Sequence, residues 1–183
     1  MITIELDGRE YQMPTGWHEI NIEKFEKLVR HFSILSEYKS QYQYAIELFS
    51  ILTEAPVEEM SKITKGSFET LASRIEWTKE DIEPTGVRTF NVEGQDYMTV
   101  ENLDALEMGD VVSLELQISN SQNWELLTNM LPILIRKVKK VEKSDGTIKL
   151  VPDKFDANEY EETKQLFRKN LMVADVNELR SFF

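Results

Sequence analysis

The chain has 183 residues, 41% of them hydrophobic and 30% charged, with a formal net charge of -12. This composition supports a folded core, and the acidic charge argues against binding of bare nucleic acid because phosphate repels it. The chain has no cysteine, which excludes disulfides, a thiolate nucleophile and cysteine-ligated zinc. No apolar run approaches the roughly 20 residues of a membrane-spanning helix, and the N-terminus does not resemble a signal peptide. We therefore expect the protein to stay in the compartment where it is made.

Two stretches of the chain resemble each other at a constant offset of 86 residues, the distance from Asp7-Gly8 to Glu93-Gly94. The first reads ITIELDGREY and then GWHEINIEKFEKL, and the second reads RTFNVEGQDY and then NLDALEMGDVVSL. The same offset, applied without a gap, aligns Tyr11 with Tyr97, Ile20 with Leu106, Ile22 with Met108, Phe25 with Val111, Leu28 with Leu114 and Phe32 with Ile118. This agreement across a turn and a helix-like stretch predicts a duplicated structural unit.

The first repeat opens with a predicted β-hairpin. Residues 2–6 alternate apolar and polar, and Asp7-Gly8 favours a two-residue turn that needs positive φ at both positions. Asn21 is a suitable N-cap for a helix beginning at Ile22, where apolar residues recur three and four positions apart. Three more helices are predicted in this half: one from Tyr42 to Leu52, a short one from Pro56, and one from Phe68 to Trp77 capped by Ser67.

The second repeat follows a linker, Ile82–Gly86, and its hairpin turns at Glu93-Gly94. The next predicted elements are a helix from Leu103 to Ser119, capped by Asn102 or Asp104, and a helix from Trp124 to Val138. Pro132 should either kink the second of these helices or split off its first turn.

The C-terminal part predicts a third hairpin, around Asp145-Gly146, between the segments KVKKVEK and IKLV. Its lysines could form a phosphate-binding patch, but a solvated hairpin flank is favoured because the whole chain is acidic. A helix from Glu159 to Asn170 follows, and Asp175 with Glu178 resembles a capping box that opens a last short helix.

These elements predict an α+β protein with two related halves, each a β-hairpin followed by α-helices, packed as one compact unit. We divide the chain into residues 1–81 for the first half, 86–138 for the second, and 139–183 for the extra hairpin and C-terminal helices.

The residues that could carry chemistry do not form a recognised catalytic pattern. His18 and His31 are the only histidines, and their spacing matches no metal motif. Asp104, Glu107 and Asp110 share a face of the predicted helix, which allows a metal site, but a solvated acidic face is favoured. We therefore predict no catalytic residue, no cofactor and no metal ligand.

The candidate interaction residues are aromatic: Trp17, Tyr42, Trp124, Phe182 and Phe183. The two C-terminal phenylalanines are either buried in the core, which is favoured because exposed phenylalanines would form a sticky patch, or a docking tag for a partner.

Several of these features together resemble a class of small tailed-bacteriophage proteins, described as tail assembly chaperones or virion structural proteins. The resemblance covers most of Ile2 to Val138 and the last residues. Its elements here are Trp17 before the first helix, Ile51-Leu52-Thr53, Pro56, Glu58-Glu59-Met60, the hairpin turn Glu93-Gly94, and Phe182-Phe183.

The resemblance implies a non-enzymatic bacteriophage protein that acts through protein–protein contacts in the structure or assembly of the virion, associated with the tail or the capsid. Its expected partners are other phage structural proteins or further copies of itself, with no sequence-specific nucleic acid and no membrane. Its expected location is the host bacterial cytoplasm during assembly, or the virion. The alternatives are a small cytoplasmic bacterial adaptor and a metal-dependent hydrolase that uses Asp104, Glu107 and Asp110.

Overall fold

The structure is a computed structural model that describes residues 1–101 and 103–182, without the side chains of residues 105 and 180–182. The strands are β1 (Ile2–Leu6), β2 (Arg9–Met13), β3 (Thr89–Val92), β4 (Gln95–Thr99), β5 (Ile135–Glu142) and β6 (Ile148–Pro152). The helices are α1 (Ile22–Ser33), α2 (Gln41–Thr53), α3 (Val57–Met60), α4 (Lys65–Arg74), α5 (Met108–Asn120), α6 (Leu126–Leu134), α7 (Tyr160–Asn170) and α8 (Val173–Val176). Short 3-10 helices cover Trp17–Glu19, Leu35–Glu37, Glu76–Lys79, Leu103–Ala105 and Asn177–Phe182. The mixed α+β fold predicted from the sequence is confirmed.

The contacts group the chain into two compact units. Unit 1 consists of Met1–Glu83 together with Met172–Ala174, and unit 2 consists of Pro84–Leu171 and the residues from Asp175 onward. The boundary at Glu83 and Pro84 lies inside the linker identified in the sequence.

Unit 1 begins with the predicted hairpin, in which β1 and β2 pair antiparallel from Leu6–Arg9 to Ile2–Met13. Its turn has positive φ at both Asp7 (48°) and Gly8 (77°), as a two-residue hairpin turn requires. Asn21 caps α1 as predicted, because its side chain accepts a hydrogen bond from the Lys24 backbone N–H at 2.9 Å. The core of unit 1 is apolar and includes Met13, Ile20, Ile22, Leu28, Phe49, Leu52 and Met60.

The predicted start of α4 is wrong. The helix begins at Lys65 rather than Phe68, and its N-cap is Thr64, whose hydroxyl accepts from the Ser67 N–H at 3.2 Å. The α-helix ends at Arg74, and residues 76–79, including Trp77, continue as a 3-10 turn. Thr64 and Ser67 are both good caps, so the sequence pattern alone did not separate them.

Unit 2 contains an antiparallel sheet of four strands in the order β3-β4-β5-β6. The second predicted hairpin is confirmed, with positive φ at Glu93 (51°) and Gly94 (85°). Strand β5 pairs with β4 only over Ile135–Lys137, and it continues beyond β4 while pairing with β6. We call this two-stranded extension, residues 138–152, the arm; it is the third hairpin predicted from the sequence.

The predicted helix from Trp124 to Val138 is wrong at both ends. Helix α6 covers Leu126–Leu134, and residues 135–138 belong to β5. Pro132 removes one backbone donor from the helix, and the helix ends two residues later, where β-branched Ile135 starts the strand.

Two further cap predictions are corrected. Helix α5 begins at Met108 with Glu107 as its N-cap, so Asp104 does not cap it, and Asn102 lies outside the described residues. Helix α8 begins at Val173, so Asp175 lies inside it and does not open a capping box. The Asp175 carboxylate instead accepts a hydrogen bond from the Thr85 hydroxyl at 2.9 Å.

Several elements of the two predicted repeats correspond in position along the chain. With the offset of 86 residues, β2 falls on β4, the first 3-10 helix on Leu103–Ala105, and the start of α1 on the start of α5. The core positions are only partly shared. Leu28 and its counterpart Leu114 are both buried, whereas Ile22 is fully buried and its counterpart Met108 is 74% exposed.

Candidate interaction site

The hairpin of unit 1 leaves one edge of β1 without a strand partner, since the described part of the chain pairs β1 with β2 only. The two-residue turn makes Leu6 and Arg9 a hydrogen-bonded pair, and bonded and non-bonded pairs then alternate along the ladder. The backbone N–H and C=O groups of Thr3 and Glu5 therefore point away from β2. These groups form an open edge, which we define as the β1 edge.

A groove of about 490 Å³ lies beside the β1 edge, between the strand and the segment that runs from α3 through α4. The apolar side chains of β1 are half-buried, while Thr3 and Glu5 are exposed. Across the groove, Ile63 and the buried Leu71 provide apolar surface. The groove therefore combines unpaired backbone groups with an apolar wall, as sites for extended peptides do.

Most charged side chains along this groove are held by partners. Lys62 lies 3.3 Å from Asp7, and Arg9 lies 2.6 Å from Glu59, which also accepts a hydrogen bond from Tyr11. The hydrogen bond to Glu59 raises the pKa of the Tyr11 hydroxyl. In contrast, the exposed carboxylate of Glu5 makes no ion pair with any residue that the structure describes, so its charge is available to a partner.

The arm of unit 2 presents a second open edge, along β6. Asp153 N–H donates to the Lys137 carbonyl at 2.8 Å, which fixes the alternation of the β5–β6 ladder. Ile148 and Leu150 therefore direct their backbone groups away from β5, and Pro152 lies at a position that needs no N–H. The side chains of Ile148 and Leu150 are 66% and 46% exposed.

The lysines of the arm form an exposed basic region on this acidic chain. Lys139 lies 3.9 Å from Asp153, and Lys149 lies 3.9 Å from Glu101. All four of these side chains are about half exposed or more, so solvent screens both pairs and they contribute little stability. Lys140 has no ion-pair partner among the described residues.

The predicted aromatic interaction residues lie in different surroundings. The Trp17 indole N–H donates to the Glu80 carbonyl at 3.0 Å, and its half-buried ring packs edge-to-face on Trp77 at 5.1 Å. Tyr42 is 57% exposed and its ring lies 5.2 Å from that of Phe68. Trp124 is half-buried in unit 2. The Phe182 side chain and all of Phe183 lie outside the described residues.

The acidic residues considered for a metal do not share one helix. Asp104 lies in the 3-10 helix before α5, and Glu107 is the N-cap of α5 and pairs with Lys154 at 2.7 Å. The buried Asp110 pairs with buried Arg136 at 3.0 Å and accepts from the Glu107 backbone N–H. Over residues 1–101 and 103–182, no group of three or more potential metal ligands is close enough to hold a metal ion.

His31 is a buried residue of unit 1 rather than a surface group. Its Nε2 lies 3.0 Å from the Tyr44 carbonyl, which can only accept, so Nε2 carries the proton. Burial lowers the pKa of His31. Tyr38 lies beside the ring, and its hydroxyl donates to the Glu47 carboxylate. Burial is the larger cause and this hydrogen bond the smaller cause that raise the pKa of Tyr38 to about 12. This cluster packs α1 against the start of α2.

Unit 2 also contains a polar cavity of about 330 Å³ at the base of the arm. Its cations are each paired with a carboxylate: Lys137 with Glu159 at 2.6 Å, Arg136 with Asp110, and Lys154 with Glu107. These ion pairs connect the base of the arm to the rest of unit 2, so the three cations already have partners.

A third exposed feature is an apolar row on α5, at positions four residues apart. Met108, Val112 and Leu116 are 74%, 49% and 55% exposed.

No described helix is both long enough and apolar enough to cross a bilayer.

Comparison of the chain with protein families, with curated proteins and with solved structures finds no match. The candidate site therefore rests on the geometry of this chain. The sequence predicted the β1–β2 hairpin and the arm but not their open edges, because the pairing of a strand's outer side depends on tertiary contacts.

Proposed function

We propose that the chain is a non-enzymatic bacteriophage protein that acts through protein–protein contacts in the structure or assembly of the virion. The observation that carries the protein–protein part is the β1 edge, which lies open beside a groove with an apolar wall. The phage context is supported by the resemblance described from the sequence.

An open strand edge can bind an extended segment by continuing the sheet. The backbone hydrogen bonds then provide affinity, and side-chain pockets provide specificity. Natural proteins usually protect exposed edges with charges, bulges or short strands. Here β1 has five residues and carries a single charged side chain, the exposed Glu5, so the edge is not blocked and favours a partner with a matching positive charge.

The charge distribution fits a role beside packaged nucleic acid without binding to it. A net charge of -12 repels phosphate, which favours partners that are proteins with basic surfaces. The expected partners are phage structural proteins or other copies of this chain, in the host cytoplasm during assembly or in the virion.

Two alternatives make different demands on the structure. A bacterial adaptor would use the same β1 edge and differs only in its partner. A metal-dependent hydrolase would need Glu107 and Asp110 as ligands, but both carboxylates are engaged by basic side chains.

Mass spectrometry of affinity-purified protein and of purified particles tests the proposal. We expect peptides of the chain in particles, or in complexes with capsid or tail proteins formed before assembly. Recovery with bacterial proteins alone would favour the adaptor. An increase in melting temperature with Mg²⁺, Mn²⁺ or Ca²⁺ would favour the hydrolase.

A further inference from the structure

We propose that the occupant of the groove is the arm of a second copy of this chain, whose strand β6 adds to the β1 edge as a parallel strand. The pairing places Lys149 of one copy directly opposite Glu5 of the other. This inference deepens the proposed function, because it identifies one partner of the candidate interaction site as the chain itself.

The backbone groups of the two open edges are complementary in a parallel arrangement. In a parallel pair, a residue with outward groups bonds to the two neighbours of the residue opposite it. With Glu5 opposite Lys149, the Glu5 N–H donates to the Ile148 carbonyl, and the Leu150 N–H donates to the Glu5 carbonyl. The Ile148 N–H donates to the Thr3 carbonyl, so this register gives three backbone hydrogen bonds between the two strands.

The same register matches the faces of the two strands. Residues opposite each other lie on the same side of a sheet, so Ile4 faces Ile148 and Leu6 faces Leu150. This places the exposed side chains of Ile148 and Leu150 on the half-buried apolar face of β1, beside Ile63 in the groove. The antiparallel arrangement is disfavoured, because it would place Ile148 and Leu150 on the polar face with Thr3 and Glu5.

The charges also match. Glu5 has no ion pair among the described residues. Lys149 forms an ion pair with Glu101 at 3.9 Å, and solvent screens that pair. Lys149 is the one lysine of β6, and it belongs to a basic arm on an otherwise acidic chain. The register that forms the backbone hydrogen bonds also brings Lys149 opposite Glu5.

Such a contact is heterologous, because each copy donates one arm and accepts another. Reciprocal exchange between two copies closes as a dimer, and exchange with successive copies closes into a larger ring or continues as a filament. The inference therefore predicts concentration-dependent self-association.

Light scattering over a concentration series tests the contact with two matched variants. Glu5→Pro removes the outward N–H of the β1 edge without removing a β1–β2 hydrogen bond. Glu10→Pro makes the same change at the residue directly opposite, on the other edge of the hairpin. We expect wild type and Glu10→Pro to associate alike, and Glu5→Pro to associate about tenfold more weakly or worse.

Side-chain variants test the register. Glu5→Lys and Lys149→Glu should each weaken association, and the double variant should restore it. Leu150→Glu should weaken association, whereas Leu116→Glu, a comparable change on the exposed row of α5, should not. Circular dichroism checks that each variant is folded.

A monomeric wild type at all concentrations would overturn the inference, as would equal effects of Glu5→Pro and Glu10→Pro. Failure of the charge exchange to restore association would overturn the register. None of these outcomes decides the proposed function, because recovery of capsid or tail proteins with the monomeric chain is a separate measurement.

Discussion

Arg136 forms a buried ion pair in the core of unit 2. Its guanidinium is buried, lies 3.0 Å from the Asp110 carboxylate, and donates through Nε to the Ile133 carbonyl at 2.9 Å. Asp110 in turn accepts from the backbone at the start of α5. One buried ion pair therefore connects the start of α5 to the junction of α6 and β5.

Replacing Arg136 tests this connection. We expect Arg136→Leu to lower the free energy of unfolding by about 3–5 kcal/mol, because it leaves the Asp110 charge buried without a partner. The double variant Arg136→Leu with Asp110→Leu should recover part of that loss in urea denaturation. Additive losses in the double variant would show that the two side chains do not depend on each other.

His31 predicts a pH dependence of stability. Burial lowers its pKa in the folded state, so the unfolded chain binds a proton more readily than the folded chain. Its stabilising contribution is present above the unfolded pKa of about 6.5 and is lost as the pH falls toward the folded pKa.

We expect the free energy of unfolding to fall less steeply in His31→Gln than in wild type when the pH is lowered from about 7 to 5. His18→Gln is the control, because His18 is exposed. Equal slopes for wild type and His31→Gln would contradict a neutral buried imidazole.

At the scale of elements, glycines with opposite backbone requirements give opposite predictions. Gly8 has φ of 77° in the β1–β2 turn, so Gly8→Ala should destabilise the protein by about 1 kcal/mol or more. Gly109 lies in the first turn of α5, and an added methyl group would meet nothing within 4 Å. Gly109→Ala should therefore stabilise by about 0.5–1 kcal/mol. Thermal denaturation of both variants checks the two signs, and a change of the same sign in both would contradict the assignment.

The sequence predicts elements well where a local signal decides them. The turns at Asp7-Gly8 and Glu93-Gly94 and the Asn21 cap are confirmed because each depends on a few neighbouring residues. The cap of α5 was missed although the offset of 86 residues leads from Asn21 to Glu107, because glutamate is a weaker cap than the nearby asparagine and aspartate.

The end of α6 and the open edges needed tertiary information. The segment around Leu134 is apolar throughout, and a continuous apolar run does not separate a buried helix from a strand. Both repeats begin with similar hairpins, yet β4 gains β5 as a neighbour while β1 gains none that the structure describes. The candidate interaction site depends on that difference, which sequence periodicity does not contain.

At the scale of the whole molecule, the chain returns to unit 1 near its C-terminus. Met172–Ala174 belongs to unit 1, although the residues before and after it belong to unit 2. Val173 is fully buried, and its N–H donates to the Ile20 carbonyl at 2.8 Å, beside the isolated bridge between Asn21 and Met172. The folding of unit 1 therefore requires a segment synthesised about 90 residues after the rest of that unit.

Val173→Ala tests that requirement. Loss of two buried methyl groups and the resulting cavity should destabilise unit 1 by about 2 kcal/mol. Fluorescence in a Trp124→Phe background reports unit 1, because the remaining tryptophans, Trp17 and Trp77, pack against each other there. Val112→Ala is the control, since Val112 is 49% exposed on α5 and its truncation should cost less than about 0.5 kcal/mol. If the tryptophan fluorescence of Val173→Ala shows the same denaturation midpoint as that of the control, the C-terminal segment does not contribute to the core of unit 1.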